Sequence, residues 1–493
     1  MSRERLLLVR LSHHRLAGEL VRREISAKTR RTSSPAKQTV CYGFSPDGEK
    51  PGLVASIPPA RPCRFGAWLP GLVLLGWLAC PAAAENWPGW RGPRGDGSSL
   101  EKNIPLRWNG PAGENVAWKV EIPGRGHASP IVWDDRLFLI TCRQDAGQRC
   151  LMCLDRRTGR TLWERVVLSA PLEKKHRLNS HASSTPATDG RSVYVTFLDR
   201  RHMLVAAYDH QGNRRWLVRP GEFHSVHGYC SSPILFENLV IVNGDHDGDA
   251  YLVALDQDTG RTVWKTEREN KTRSYCAPII RQIDGRTQMI LSASLCVASY
   301  DPRDGSRHWI IDGPTEQFVA SLVYNGRLLF MTAGFPELHI MGIRPDGRGN
   351  VTDTHVAWHT TKGCSYVPSP FASADGRYFL VVSDGGIASC FEADTGKRHW
   401  MQRLGPHYSA SLVCADGLVH FLSDEGVTTI VRPGPKLDRV AENPLGESCY
   451  ASPAISQGQI FLRAERHLWC IGHAQPPTGS RGRRAGPRVD DRR

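Results

Sequence analysis

Tryptophan recurs at a nearly fixed interval: Trp118, Trp163, Trp216, Trp264, Trp309, Trp358 and Trp400 stand 42 to 53 residues apart. A second mark keeps step with it. Short starts, most of Ser-Pro type, fall at Ser129-Pro130, Thr185-Pro186, Ser232-Pro233, Ala277-Pro278, Ser321-Leu322, Ser369-Pro370, Ser411-Leu412 and Ser452-Pro453, eight in all. A period of this size marks a chain built by repetition, because one unit cannot bury its apolar face alone. The repeat restricts the fold more than any single residue does.

The third unit shows the pattern most clearly. Ser232-Pro233-Ile234-Leu235 leads to Leu239–Gly244, then an acidic turn over Asp245–Asp249, then Tyr251–Asp256, Thr259-Gly260 and Val263-Trp264-Lys265. Apolar runs of 4 to 6 residues broken by Gly, Asp or Asn predict short antiparallel strands joined by tight turns, four to a unit. Two residues before the Asp of Ala254-Leu255-Asp256 the side chain is small, and Cys153, Ala207, Ser299, Gly342, Cys390 and Cys470 occupy that column elsewhere. A column of small residues on a buried strand predicts a neighbouring sheet packed close against it. Radially stacked four-stranded sheets supply that contact, so the expected fold is an all-β, eight-bladed β-propeller of antiparallel blades over residues 115–473. The seventh unit carries Val431-Arg432-Pro433-Gly434-Pro435 where the Thr-Gly turn should be, which leaves seven blades as the alternative count. The last unit stops at Ile471 without a fourth strand, while a spare strand, Asn115–Val120 with Trp118, precedes the first start. Pairing the two ends closes the ring and removes an exposed edge.

Outside this region the composition changes. Arg61 and Arg64, a 13-residue apolar stretch from Ala67 to Ala79 and Ala82-Ala83-Ala84 read in that order as a signal peptide over 61–84, cleaved after Ala84. Acylation at Cys80 is the second reading. Thirteen residues are too few to span a bilayer. Residues 1–60 read as a disordered leader or a mis-called start, residues 85–114 as an N-terminal segment, and residues 474–493 as a basic disordered tail. Residues 1–84 hold 13 Lys and Arg against 5 Asp and Glu, and residues 474–493 hold 6 against 2, so the net +14 leaves only +2 between them. The basic balance belongs to the ends and gives no expectation of nucleic-acid binding. An exported chain meets an oxidising compartment, where Cys142 and Cys150, flanking Asp145-Ala146-Gly147, either bridge a hairpin or stay free. Cys150-x-x-Cys153 lies on a strand, where residues three apart point to opposite faces, so it is no chelating motif.

The units Ala254-Leu255-Asp256…Thr259-Gly260…Trp264 and Leu154-Asp155…Thr158-Gly159…Trp163 resemble the PQQ-type repeat. That repeat is found in quinoprotein dehydrogenases and in the propeller lipoprotein of the outer-membrane β-barrel assembly machinery. The resemblance implies that the seven repeat tryptophans dock on the Gly-containing turn of the adjacent blade. The opening Asn86-Trp87-Pro88-Gly89-Trp90-Arg91-Gly92-Pro93 looks like a subgroup of secreted bacterial PQQ-like propellers. Quinoprotein dehydrogenases of this kind pair PQQ and calcium with a disulfide between adjacent cysteines, a stacking tryptophan, carboxylate and Asn ligands and a catalytic Asp. This chain has no adjacent cysteine pair, and its conspicuous Asp residues belong to repeat turns, including Asp245-x-Asp247-Gly248-Asp249.

One constellation remains. The segments entering each unit carry His127, His181, His224, His227, Tyr229, Tyr275, Tyr366, His407, Tyr408 and Tyr450. In a propeller these segments converge on one mouth of the central channel, where ligands commonly bind. The imidazoles of His127, His181, His224, His227 and His407 form a pool of metal ligands if three or four reach one point; the bland reading is that they fill and bond the funnel. The resulting expectation is a secreted or periplasmic, non-enzymatic binding or assembly scaffold of the bacterial envelope, with a protein partner and no required cofactor. The alternative is a quinoprotein-type oxidoreductase holding PQQ or a metal in the funnel.

Overall fold

A computed structural model describes residues 85–473; the expected leader, signal peptide, acylation site and basic tail lie outside the described residues. These residues form eight sheets and no helix; seven have four antiparallel strands, and that of blade four adds a short fifth strand at its outer edge. Every inner strand begins directly after its start dipeptide, at Ile131, Ala187, Ile234, Ile279, Val323, Phe371, Val413 and Ala454.

The start residues also have a bonding role. Their backbone N–H donates to the hydroxyl of the next blade: Ser129 to Thr185 (3.1 Å), Thr185 to Ser232 (2.9 Å), Ser321 to Ser369 (3.0 Å), Ser369 to Ser411 (2.9 Å) and Ser411 to Ser452 (2.9 Å). Ser and Thr recur here because a short hydroxyl satisfies a buried N–H that no ladder reaches. Ala277 lacks that hydroxyl, and the run breaks at blade four.

At the outer rim the tryptophans join neighbouring blades. Indole N–H groups of Trp118, Trp163, Trp216, Trp264, Trp358 and Trp400 donate to the carbonyls of Arg156, His210, Gln257, Pro302, Ala393 and Gly434 in the next blade, at 2.8 to 3.0 Å. Gly260 shows why that turn takes glycine. Its φ is +73°, and a Cβ there would lie 2.7 Å from the Trp216 ring. Trp309 differs: fully buried, it donates to Gln288 Oε1 of its own blade at 2.8 Å. Residues 344–355 displace the usual arrangement, with Gly349–Asn350 running parallel along the outer strand Arg307–Asp312.

The small-residue column has a more local cause than the neighbouring sheet expected for it. Cys153, Ala207, Ala254, Ser299, Gly342, Cys390 and Cys470 stand directly opposite Trp163, Trp216, Trp264, Trp309, Trp358, Trp400 and Trp118. The indole of the same blade therefore sets the limit; a Cβ on Gly342 would meet Trp358 Nε1 at 2.4 Å. Blade seven reverses the volumes, with Ile430 opposite Ala441. The missing indole is replaced from the N-terminal segment: Trp108 is buried in the same cluster, its backbone N–H held by Asn443 Oδ1 at 3.0 Å. Blade seven is thus complete despite its Pro-Gly-Pro turn, and Gly434 still receives Trp400.

Blade eight combines both ends of the described chain. Val116–Glu121 runs antiparallel beside His467–Ile471, with Trp118 opposite Cys470. Cys142 and Cys150 are free thiols. Cys142 pairs with Arg149 and Cys150 with Thr141, so the two side chains leave opposite faces of the hairpin and cannot bridge.

Candidate functional site

The segments entering each blade meet at the upper end of the channel, as do the turns between second and third strands. Asp384, in one such turn, accepts the backbone N–H groups of Tyr366 (2.9 Å) and Val367 (3.1 Å) from an entering segment. Contacts then run around the rim. The His127 ring lies against Tyr450 (4.7 Å), and its backbone N–H donates to Ser180 Oγ at 3.1 Å. Asn179 donates to the His227 carbonyl at 2.8 Å. His227 meets His176 at 5.7 Å and Tyr275 at 6.2 Å between ring centres. The Tyr275 hydroxyl bonds Ser225 Oγ at 2.6 Å, and Tyr366 donates to Gln317 Oε1 at 3.2 Å. His407 pairs through Nδ1 with Asp424, which also accepts from Ser409 Oγ at 3.1 Å.

The other sequence candidates lie elsewhere. Tyr229 and Tyr408 belong to the buried core, Tyr229 edge-on to Phe223 at 4.9 Å. Tyr408 follows His407 in extended chain, so its side chain turns inward when the imidazole turns to the rim. His224 bonds the Glu222 carboxylate at the blade edge (2.7 Å), and His181 bonds the Glu173 carbonyl (3.0 Å). Among the described residues, no three His, Cys, Asp or Glu side chains are placed to hold a metal ion. The pooled imidazoles are spread around the ring instead of converging. Asp384 and Asp424 are the rim groups that sequence reasoning passed over. Their signal was the repeated Ser-Asp-x-Gly of Ser383–Gly386 and Ser423–Gly426, which reads as an ordinary turn.

Burial sets the electrostatics here. It raises the carboxyl pKa of Asp384, against the pull of the Tyr366 and Val367 N–H groups, and that of Asp424, against His407. It also pushes His127 down to about 4, with Lys175, Arg463 and Arg125 adding like charge. Tyr366 is pushed up to about 12. At neutral pH, then, His127 is neutral and Tyr366 is a hydrogen-bond donor.

The lower end of the channel is covered by the N-terminal segment. Trp87 bridges to Val132, and the Pro88 carbonyl accepts Thr188 N–H at 2.8 Å. Trp90 Nε1 donates to Ser321 Oγ (3.1 Å), Arg91 to the Pro370 carbonyl (2.7 Å), and Cys414 N–H to the Gly97 carbonyl (2.8 Å). Ser456 Oγ donates to the Glu85 carbonyl at 2.6 Å, while both oxygens of buried Glu101 accept from Gln457 and Gly458 N–H. One segment thus ties together blades one, two, five, six, seven and eight.

With this geometry in hand, the family is clear. The profile of the family described as outer membrane protein assembly factor BamB matches residues 107–216, 148–323 and 350–433. The chain belongs to that family. No curated protein matches the chain by sequence. Among solved structures it is similar to BamB from Moraxella catarrhalis, at 12% identity and a TM-score of 0.51, over 72% of this chain and 98% of that one. A europium-containing methanol dehydrogenase is similar at 12% identity and 0.55, over 77% and 89%. The quinohemoprotein alcohol dehydrogenase of Comamonas testosteroni is similar at 11% and 0.57, over 80% and 82%. At these identities the likeness is one of fold, shared by an assembly factor and by enzymes.

The rim residues do not fit the quinone and calcium set that the resemblance implies. No two cysteines are adjacent, the eleven described thiols are free, and the repeat indoles are committed to blade contacts. Asp384 gives one oxygen to each of the Tyr366 and Val367 N–H groups, and Asp424 gives Oδ2 to His407 and Ser409 while its Oδ1 stays buried without a hydrogen-bond partner.

Proposed function

We propose that this BamB-family propeller is a non-enzymatic binding scaffold of the bacterial envelope, exported by its signal sequence, with the upper rim as its partner surface. The observation that carries this reading is the commitment of rim groups to one another. His407 with Asp424, Tyr275 with Ser225 and Tyr366 with Gln317 pair entering segments with one another and with a turn. Beside them stand exposed apolar side chains: Leu178 and Val226 in entering segments, and Leu295, Phe335 and Leu338 in the turns of blades four and five. Apolar groups gathered on one face and edged by polar ones suit a protein partner. The family description, an outer membrane assembly factor, points to the same class of partner.

The test uses the full-length protein in its native cells, with a photo-crosslinking residue in place of Phe335, Val226 or, as control, Leu162 on an outer strand. Discrete adducts at the first two positions and none at the third are expected. The quinoprotein alternative is tested on the purified protein with added PQQ and Ca²⁺. Alcohol oxidation under those conditions would replace the scaffold reading.

A further inference from the structure

The lower end of the channel has a chemistry independent of the upper rim. A cavity of about 450 Å³ lies there between the N-terminal segment and the inner strands of blades two to four. Its walls are largely apolar, with Pro233, Ile234, Leu235 and Pro278 on one side and Trp90 opposite. Arg281, on the strand Ile279–Ile283, lines the same cavity.

The charges around this cavity do not balance. Arg94 is held by both oxygens of Glu85, at 2.6 and 2.9 Å. Asp96 spends Oδ1 on the Ser98 backbone (2.9 Å) and hydroxyl (2.6 Å), and its Oδ2 stands 3.5 Å from Arg281. That distance makes a loose pair, and the other contact of the Arg281 guanidinium is the Ile280 carbonyl at 2.8 Å. Behind it lies Arg91, fully buried, with Nη2 on the carbonyls of Asp96 and Pro370 and with Nε and Nη1 unpartnered. Burial pushes Arg91 down to about 10, which still leaves it charged at neutral pH. After Arg94 and Glu85 cancel, Arg91 and Arg281 share a single carboxylate. A buried charge needs a counter-charge, and apolar walls strengthen its pull on one.

We propose that this cavity binds a small organic carboxylate, its head meeting Arg281 and its apolar body lying against Pro233, Ile234, Leu235 and Pro278. One excess positive charge calls for a monoanion. The planar guanidinium fork matches a carboxylate, and the cavity size suits a ligand of benzoate dimensions. Arg91 acts as a positioning charge behind the site, because its side chain is closed off by the segment that carries it.

The experiment titrates full-length protein calorimetrically with benzoate and with benzamide, its neutral isostere, and repeats both with Arg281→Gln. Benzoate is expected to bind and to weaken as salt is raised, and benzamide to bind at least about tenfold less tightly, the factor set by a charge-assisted hydrogen bond. Arg281→Gln should lower benzoate affinity to that of benzamide while its melting temperature shows a folded chain. Equal binding of the two probes overturns the proposal, as does the absence of benzoate binding up to about 10 mM, a concentration that detects even very weak complexes. Should Arg281→Gln fail to fold, the comparison of the two probes on the unaltered protein decides alone. None of these outcomes touches the reading of the upper rim.

Discussion

Replacing Trp118 by Ala tests how the ring is locked. Trp118 sits on the closing strand, half-buried, with its indole over Phe461 (6.0 Å between centres) and against Gly159, and its Nε1 on the Arg156 carbonyl at 3.0 Å. An indole buries roughly 150–250 Å² when enclosed. With about half to two thirds of that removed from water at about 25 cal/mol per Å², the transfer loss is about 2–4 kcal/mol. The lost hydrogen bond adds about 1 kcal/mol. The expected cost is about 3 kcal/mol, at the low end for aromatic truncation because the site is half open. That cost should appear as local opening. Amide exchange over 116–121 and 467–471 should accelerate about a hundredfold relative to the middle of blade three, since each 1.4 kcal/mol is about a factor of ten. Urea denaturation of the same variant reads the global part. Arg432→Ala, which removes an exposed ion pair with Asp438, is the control and should change nothing measurable. Exchange at the seam no faster than in the control would refute the idea that the indole locks the closure.

Three further outcomes follow from the geometry. His420 stands where other blades place Phe138, Phe330 and Phe461, fully buried, and burial pushes it down from 6.5 to about 4. The unfolded chain then binds a proton below pH 6.5 that the folded one refuses, so stability falls between about pH 6.5 and 4, by up to about 3 kcal/mol; His420→Phe should raise the melting temperature at pH 5 more than at pH 7.5. Ser411→Ala orphans the buried Ser369 N–H and should cost about 1–3 kcal/mol by urea denaturation, whereas Ala277→Ser should be far milder. Alkylation under denaturing, non-reducing conditions followed by mass spectrometry should label both Cys142 and Cys150, whereas native labelling of Cys150 should be slow, since burial pushes its thiol up to about 12.

The repeat was legible because it is local. Gly260, Trp264 and the start dipeptides lie within one unit, and their spacing carries the turns and strands directly. Closure was legible for a different reason: a four-strand unit short of one strand needs a partner, and Val116–Glu121 was the free one. Less could be read where the cause lies across the ring. Nothing near Trp309 in sequence announces that residues 344–355 will cover its strand, and nothing near Ala441 announces Trp108, more than 300 residues away. Rim membership failed at single-residue resolution, because Tyr408 and His407 differ only in which way an extended chain turns them. The N-terminal segment was the largest gap. Its Trp, Arg and Gly residues have no periodicity, and their partners, Val132, Ser321, Pro370 and Cys414, come from four different blades.

In a ring of eight similar blades, chemistry has to come from positions that break the repeat. One register at the upper end of the second strand shows this. Thr196, Asn243 and Thr332 there donate to the carbonyls of Ser231, Cys276 and Ser365 in the segment entering the next blade. Blade eight has Arg463 in that register, buried, pushed down to about 10 and reaching the Gly124 carbonyl only at 3.4 Å. With Lys175 and Arg125 it lies among the cationic groups that press on His127. The lower end breaks symmetry through Arg91 and Arg281, and the upper face through the apolar turn of Phe335 and Leu338. These departures sit at separate places on the ring, so the small anion proposed for the lower end and the protein partner proposed for the upper face use different residues.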